Sequence, residues 1–167
     1  RGRIDRVDLA ETNDGIAGIV FDYKRSSNVF SWKSLLYGLN LQLPIYLLAL
    51  KDACIDGKKI TRPAGAFLLK VESTLPSGTL DRLNQSVPFG RKTRGLFNGR
   101  YAEQLDRQCD AGWSSYHSFF MKADEGPYGH FRNSSALHPE EFERVLAFTK
   151  KKIISLAEQI FSGHIAI

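Results

Sequence analysis

Ile16 to Lys24 reads IAGIVFDYK, a run of β-branched and aromatic residues that closes on an aspartate and a lysine two positions apart. That composition suits a strand with most of its pleated surface covered. Upstream, RGRIDRVDLA (1–10) alternates, with Ile4, Arg6 and Asp8 on one side of an extended chain and Arg3, Asp5 and Val7 on the other. ETNDG (11–15) between the two runs is a turn cluster, so together they predict a β-hairpin. On its second strand Asp22 and Lys24 leave the same face, while Tyr23 points the other way. Asp5 joins that face if the register pairs the strands there, which a five-residue turn permits without dictating.

Two carboxylates and an ammonium on one sheet face admit two readings. A hard divalent cation such as Mg²⁺ takes oxygen ligands and keeps several waters, so Asp5 and Asp22 plus a substrate phosphate suffice to hold it. Such an ion polarises a phosphoryl oxygen and acidifies a water, while Lys24 orients or deprotonates that water and offsets charge in the transition state. The other reading is a cross-strand ion pair of Lys24 with Asp5 or Asp22, common on sheets and worth little at a surface. Taken alone, the three residues favour the ion pair.

The rest of the chain describes one domain. Its 167 residues, 43% hydrophobic, 25% charged and 11% aromatic, fit a folded globular protein and exclude a disordered or fibrous one. The net charge of +5 suits a polyanionic partner without proving one. Cys54 and Cys109 lack the spacing of a disulfide framework or zinc site. No apolar stretch reaches membrane-spanning length and the start is not secretory, so the expected location is cytoplasmic. Ser31 is placed to cap a helix WKSLLY ended by Gly38, and Asn40 to cap a second, LQLPIYLLALKDA, with Pro44 in its first turn. One longer helix kinked at Pro44 is the alternative. Leu43, Ile45, Leu47, Leu48 and Leu50 ring this segment with apolar surface, which predicts burial all round.

PAGAFLLKV (63–71) reads as a central strand covered on both faces. Residues 72–100 read as a basic loop, 101–110 as a short helix and YHSFFMK as a strand. From Pro139, with Glu140 and Glu141 at its positive end, to Gly163, the spacing of Phe142, Val145, Leu146, Ile153, Leu156, Ile160 and Phe161 predicts a long amphipathic helix. Lys150 to Lys152 read as its solvated face.

GRIDRVD, a hairpin, VFDYK and then LQLPIYLLAL form an ordered series that resembles the PD-(D/E)xK nuclease superfamily. Within it the chain is most similar to RecB-type nuclease domains of the AddB type, found at the carboxyl terminus of one component of bacterial helicase–nucleases. FRNSS (131–135) and SGHIAI (162–167) extend the likeness with less specific motifs. The resemblance implies an α/β, restriction-endonuclease-like fold whose central mixed sheet is flanked by helices. It places metal-binding aspartates on Asp5 and Asp22, the catalytic lysine on Lys24, and a helical Gln-x-x-x-Tyr on Gln42 and Tyr46. One helical turn separates that pair, so both can face the site. Substrate positioning and plain structural roles both stand for them. Arg6 and Asp8 turn away from Asp5 and read as structural, and His117, His130, His138 and His164 as structural or exposed.

The implied activity is Mg²⁺-dependent DNA cleavage of exonuclease type, with Mn²⁺ able to substitute, in DNA end processing and recombinational repair. The implied partners are DNA, expected single-stranded, and a helicase subunit of the AddA type, with no membrane. Lys70, Arg82, Arg91, Lys92 and Arg94 are candidate backbone contacts or a solvated basic loop. Two departures accompany the likeness. Ile4 stands where the superfamily has a proline, and the sequence opens at Arg1, after the point where the family's upstream helix, bearing an acidic or histidine ligand, is expected to end. The family's iron–sulfur cluster uses one cysteine far upstream and three downstream, which Cys54 and Cys109 do not match. The chain is therefore expected to be a piece of a longer one, without a cluster of its own. A nuclease-like domain that only binds DNA or a partner protein is the competing reading, and a homodimeric resolvase or restriction-type enzyme a third.

Overall fold

The computed structural model describes residues 3–25, 30–71, 92–128 and 133–163. The predicted hairpin is there: β1 (Arg6–Thr12) and β2 (Gly15–Lys24) pair antiparallel from Arg6↔Phe21 to Thr12↔Gly15. Its turn is shorter than ETNDG suggested, because Glu11 and Thr12 continue the ladder and leave Asn13 and Asp14 as the loop. The Thr12 hydroxyl closes it by donating to the Gly15 carbonyl at 2.7 Å, and Gly15 takes φ +127°, open to glycine alone in practice.

Two helices follow, as Gly38 and Pro44 suggested. Helix α1 (Trp32–Leu36) is capped by Ser31, whose Oγ accepts from the Ser34 amide at 3.3 Å, and Gly38 ends the turn at φ +79°. Helix α2 (Gln42–Leu50) differs from expectation at both its start and its surface. Leu41, already at φ −96° and ψ −2°, occupies the cap position, so Asn40 does not cap it. Leu43, Leu47 and Leu50 are buried but Ile45 is 40% exposed, so one face is covered and not the whole circumference.

A small hairpin of β3 (Cys54–Ile55) and β4 (Lys58–Lys59) leads into β5 (Arg62–Lys70), which lies parallel to β2 and is buried through its middle, as its continuous apolar run predicted. Next comes β6 (Arg94–Asn98), antiparallel to β5, within residues read from sequence as a loop. Its strand character is non-local: a Cβ at Gly95 would lie 2.0 Å from the Ala66 carbonyl oxygen, so β6 packs this closely only because that residue is glycine. Residues 72–91 of the expected loop lie outside the described residues. After a 3₁₀ turn, α3 (Ala102–Leu105) is all that forms of the helix expected over 101–110. YHSFFMK contributes just Phe120–Met121 (β8), paired with Gly112–Trp113 (β7). Strand β9 (Ala136–Leu137) adds parallel to β6, completing a mixed sheet in the order β1-β2-β5-β6-β9. Phe131 and Arg132 of the FRNSS motif, and His164 to Ile167, lie outside the described residues.

Helix α4 (Pro139–Phe161) has the predicted extent, and Gly163 at φ +74° stops it. The His138 amide donates to Glu141 across its first turn. Its apolar face is covered at Phe142 and Leu146, yet Ile160 and Phe161 are 69% and 91% exposed, against the predicted stripe. Successive strand residues feed two cores. Val20, Ala66 and Leu96 meet α2 and α4 on one face, and Phe21, Phe67 and Phe97 meet Tyr101 and Phe119 on the other. The resulting α/β fold, a mixed sheet flanked by helices, is the one the resemblance implies. No helix among the described residues is long and apolar enough to cross a membrane.

The second core contains a titratable group. The His117 ring lies 5.5 Å from Phe67 and 6.1 Å from Phe21, with Nδ1 bonded to the Thr93 hydroxyl at 2.7 Å. Burial lowers its pKa from 6.5 to about 4. Between those values the unfolded chain binds the proton and the folded one does not, so stability rises with pH across that window. At about 1.4 kcal/mol per pH unit, lowering the pH from 7 to 4 is expected to remove roughly 3 kcal/mol through this residue. Urea unfolding at both pH values, compared with His117→Phe, checks it. An equal acid loss in the variant would assign the effect to other groups.

Candidate nuclease site

At the carboxyl end of β2 the ladder with β1 has ended at Arg6↔Phe21, and Asp5 sits one residue beyond it. Its Oδ2 accepts from the Tyr23 backbone N–H at 3.0 Å, which draws Asp5 beside Asp22 and Lys24. Asp5 is exposed, whereas Asp22 is 4% exposed. Strand alternation sends Asp22 and Lys24 toward α2, where Gln42 and Tyr46 occupy one face of its first turn and a half.

These side chains form one network. Gln42 donates through Nε2 to Asp22 Oδ1 at 2.9 Å and to the Tyr46 hydroxyl at 2.7 Å. Its Oε1 accepts from Lys24 Nζ, also at 2.9 Å. The Tyr46 hydroxyl lies 3.3 Å from Asp22 Oδ1 and 3.1 Å from the Arg3 carbonyl. The amide of Gln42 thus couples the lysine to the aspartate, and four of the five residues singled out from sequence bond to one another, with Asp5 held on the peptide N–H that follows Asp22.

The other oxygen of Asp22 tests whether a cation fits. Asp22 Oδ2 is buried with no aligned hydrogen-bond donor, although Lys24 Nζ lies 2.7 Å away as an ion contact. A buried carboxylate oxygen whose sole partner among the described residues is one ammonium keeps acceptor capacity, and a further cation can use it. A hard divalent ion, needing only one or two carboxylates and its own waters, suits the donor set of Asp22 and Asp5. Among the described residues no group of three or more His, Cys, Asp or Glu gathers, so a site demanding more protein ligands is not formed by them.

Other expectations fall elsewhere. Arg6 and Asp8 pair with each other at 2.7 and 2.6 Å, the Arg6 guanidinium 5.1 Å over the Phe21 ring, on the opposite sheet face. His117 is structural, and the His138 ring stacks on Tyr128 at 3.9 Å. Cys54 and Cys109 are free thiols, and burial raises the Cys109 pKa. Lys92 donates to the Ser114 carbonyl just after β7, and burial lowers its pKa, so it serves to join these two segments. Arg82 and Arg91 lie outside the described residues. Sequence reading missed two backbone participants, the Arg3 carbonyl and the Tyr23 N–H, which carry no side-chain signature.

A carboxylate pair, a lysine two residues beyond the second carboxylate, and a helical glutamine and tyrosine beside them on a mixed sheet are the arrangement of one nuclease class. All 167 residues match the PD-(D/E)XK nuclease superfamily, and the chain belongs to it. Over 99% of its length it is 32% identical to the AddB-type component of the ATP-dependent helicase/deoxyribonuclease of Caldanaerobacter subterraneus subsp. tengcongensis. It is 31% identical to the protein of the same name from Clostridium tetani and 30% to that from Natranaerobius thermophilus, again over 99% of the chain. It spans only 14–15% of those relatives' own length.

Proposed function

We propose that this chain is the metal-dependent DNA nuclease domain of a longer helicase–nuclease polypeptide, acting as an exonuclease in DNA end processing and recombinational repair in the cytoplasm. The observation that carries the reading is the buried Asp22 carboxylate, its Oδ2 met by Lys24 Nζ alone at 2.7 Å among the described residues, with Asp5 held on the adjoining Tyr23 N–H.

Asp5 and Asp22 would hold Mg²⁺ or Mn²⁺. When bound, the ion supplies Lewis acidity toward a phosphoryl oxygen and lowers the pKa of a water. Lys24 offsets charge that builds on the phosphorane-like transition state and orients the attacking water. Gln42 keeps the ammonium in place by accepting from it, while its amide N–H groups hold Asp22 and Tyr46. The relatives' names support DNA as substrate and a helicase partner, and the net charge of +5 suits a polyanion. Single-stranded DNA and a helicase subunit of the AddA type are the finer part of this proposal and come from the family resemblance.

End-labelled single-stranded DNA incubated with the protein in Mg²⁺ or Mn²⁺ is expected to be degraded progressively, and EDTA to stop it. DNA bound without cleavage at any metal concentration would instead favour a silent binding module. Cleavage that persists in EDTA would overturn the metal assignment.

A further inference from the structure

The segment bearing Asp5 leaves the sheet before the aspartate is reached, since the last ladder pair is Arg6↔Phe21. Ile4 packs partly against the core formed by α2 and α4. Two polar tethers then hold the segment among the described residues. One is the Tyr23 N–H, which donates to the Asp5 carboxylate itself at 3.0 Å. The other is the Tyr46 hydroxyl, 3.1 Å from the Arg3 carbonyl and so from the backbone that aims Asp5.

The phenol has one proton and two acceptors within reach, the Arg3 carbonyl and Asp22 Oδ1 at 3.3 Å. Gln42 Nε2 already donates to that Asp22 oxygen at 2.9 Å, while the Arg3 carbonyl has no other hydrogen bond among the described residues. Both acceptors are within the phenol's reach, and the Arg3 carbonyl is the nearer of the two. Gln42 in turn donates to the phenol oxygen at 2.7 Å, so the chain of bonds runs from Lys24 through Gln42 and Tyr46 to the backbone before Asp5.

We infer that Tyr46 is a positioning residue whose phenol ties the Arg3–Asp5 segment to α2 and thereby sets Asp5 opposite Asp22. That purpose rests on the metal-site reading above, whereas the tether itself does not. Groups that orient metal ligands from behind commonly change affinity by one to two orders of magnitude when removed. Tyr46 reaches Asp5 through the main chain, while Asp22, whose Oδ1 the phenol also meets at 3.3 Å, keeps its shorter 2.9 Å bond from Gln42.

Tyr46→Phe keeps the ring and its packing and removes the one hydroxyl. Amide hydrogen exchange on the metal-free protein is expected to show the Tyr23 amide exchanging about tenfold faster in the variant, because its acceptor has lost its anchor, with Val20 and Phe21 unchanged. Mn²⁺ binding followed by titration calorimetry is expected to weaken about tenfold, with a melting temperature close to that of the parent. Unchanged Tyr23 exchange would overturn the tether, and unchanged Mn²⁺ affinity would overturn its purpose. If the parent protein itself binds no Mn²⁺, the metal-site reading fails, and Tyr46 has no ligand to position even if exchange accelerates.

Discussion

Asp22→Asn is expected to lose divalent-metal binding and DNA cleavage together, whereas Lys24→Ala is expected to keep the metal and lose the cleavage. The two side chains touch at 2.7 Å, yet their proposed duties differ, so the pair of variants separates them. Asparagine has the shape of aspartate, and its carbonyl oxygen can still accept from Gln42 as Oδ1 now does. What it lacks is the charge, and a neutral amide at a residue 4% exposed gives a divalent ion little reason to shed water. Cleavage should fall by about 10³ or more, in line with loss of a principal electrostatic stabiliser. Lys24→Ala removes a cation that competes for the same buried oxygen, so Mn²⁺ affinity should hold or rise while cleavage falls by a similar factor. The measurements are Mn²⁺ titration and single-turnover degradation of end-labelled single-stranded DNA. Metal affinity unchanged in Asp22→Asn would reduce Asp22 and Lys24 to a buried ion pair, the plainer reading that three residues alone had favoured.

How much of this site was legible follows from what each element depends on. Asp22 and Lys24 share a face because strand side chains alternate, a rule that needs no tertiary context. Gln42 and Tyr46 share one because four residues make about one helical turn. The meeting of the two faces depends on α2 packing against β2 and β5, which the apolar run of α2 suggested without orienting it. Asp5 was harder. Its place depends on where the β1–β2 ladder stops and on a backbone N–H of Tyr23, and sequence has no symbol for either. Asn40 has the chemistry of a cap, but capping is decided by the backbone angles of Leu41, which already lie near the helical region. Strand β6 escaped notice for a related reason. RGLFN is short, lies beside glycine-rich sequence, and becomes a strand through pairing with β5 and the bond from the Gly95 amide to Ser135 Oγ, 40 residues away. Helix α4 was legible in length, since its caps and period are local. Its apolar stripe could not announce that Ile160 and Phe161 would stay uncovered.

Phe67→Ala is expected to destabilise the domain severely, because Phe67 joins the two strands that carry the site to the strands that do not. It sits at the centre of β5, fully buried, opposite Phe21 of β2 in the parallel register. Its ring lies 5.7 Å from those of both Phe21 and Phe97, so deleting it opens a void spanning three strands. Sheet strands cannot collapse into such a void as loops can, since their spacing is set by hydrogen bonds. A loss of about 4 kcal/mol is expected, equivalent for a chain of this size to a fall of about 12 °C in melting temperature. Phe161→Ala provides the comparison: the same chemical change at a residue 91% exposed should stay within about 0.5 kcal/mol. Urea unfolding of both variants gives the difference directly. Were Phe67→Ala to cost less than about 1 kcal/mol, the second core would not be what holds β2 against β5, and the placement of Asp22 and Lys24 would rest on α2 and the first core alone.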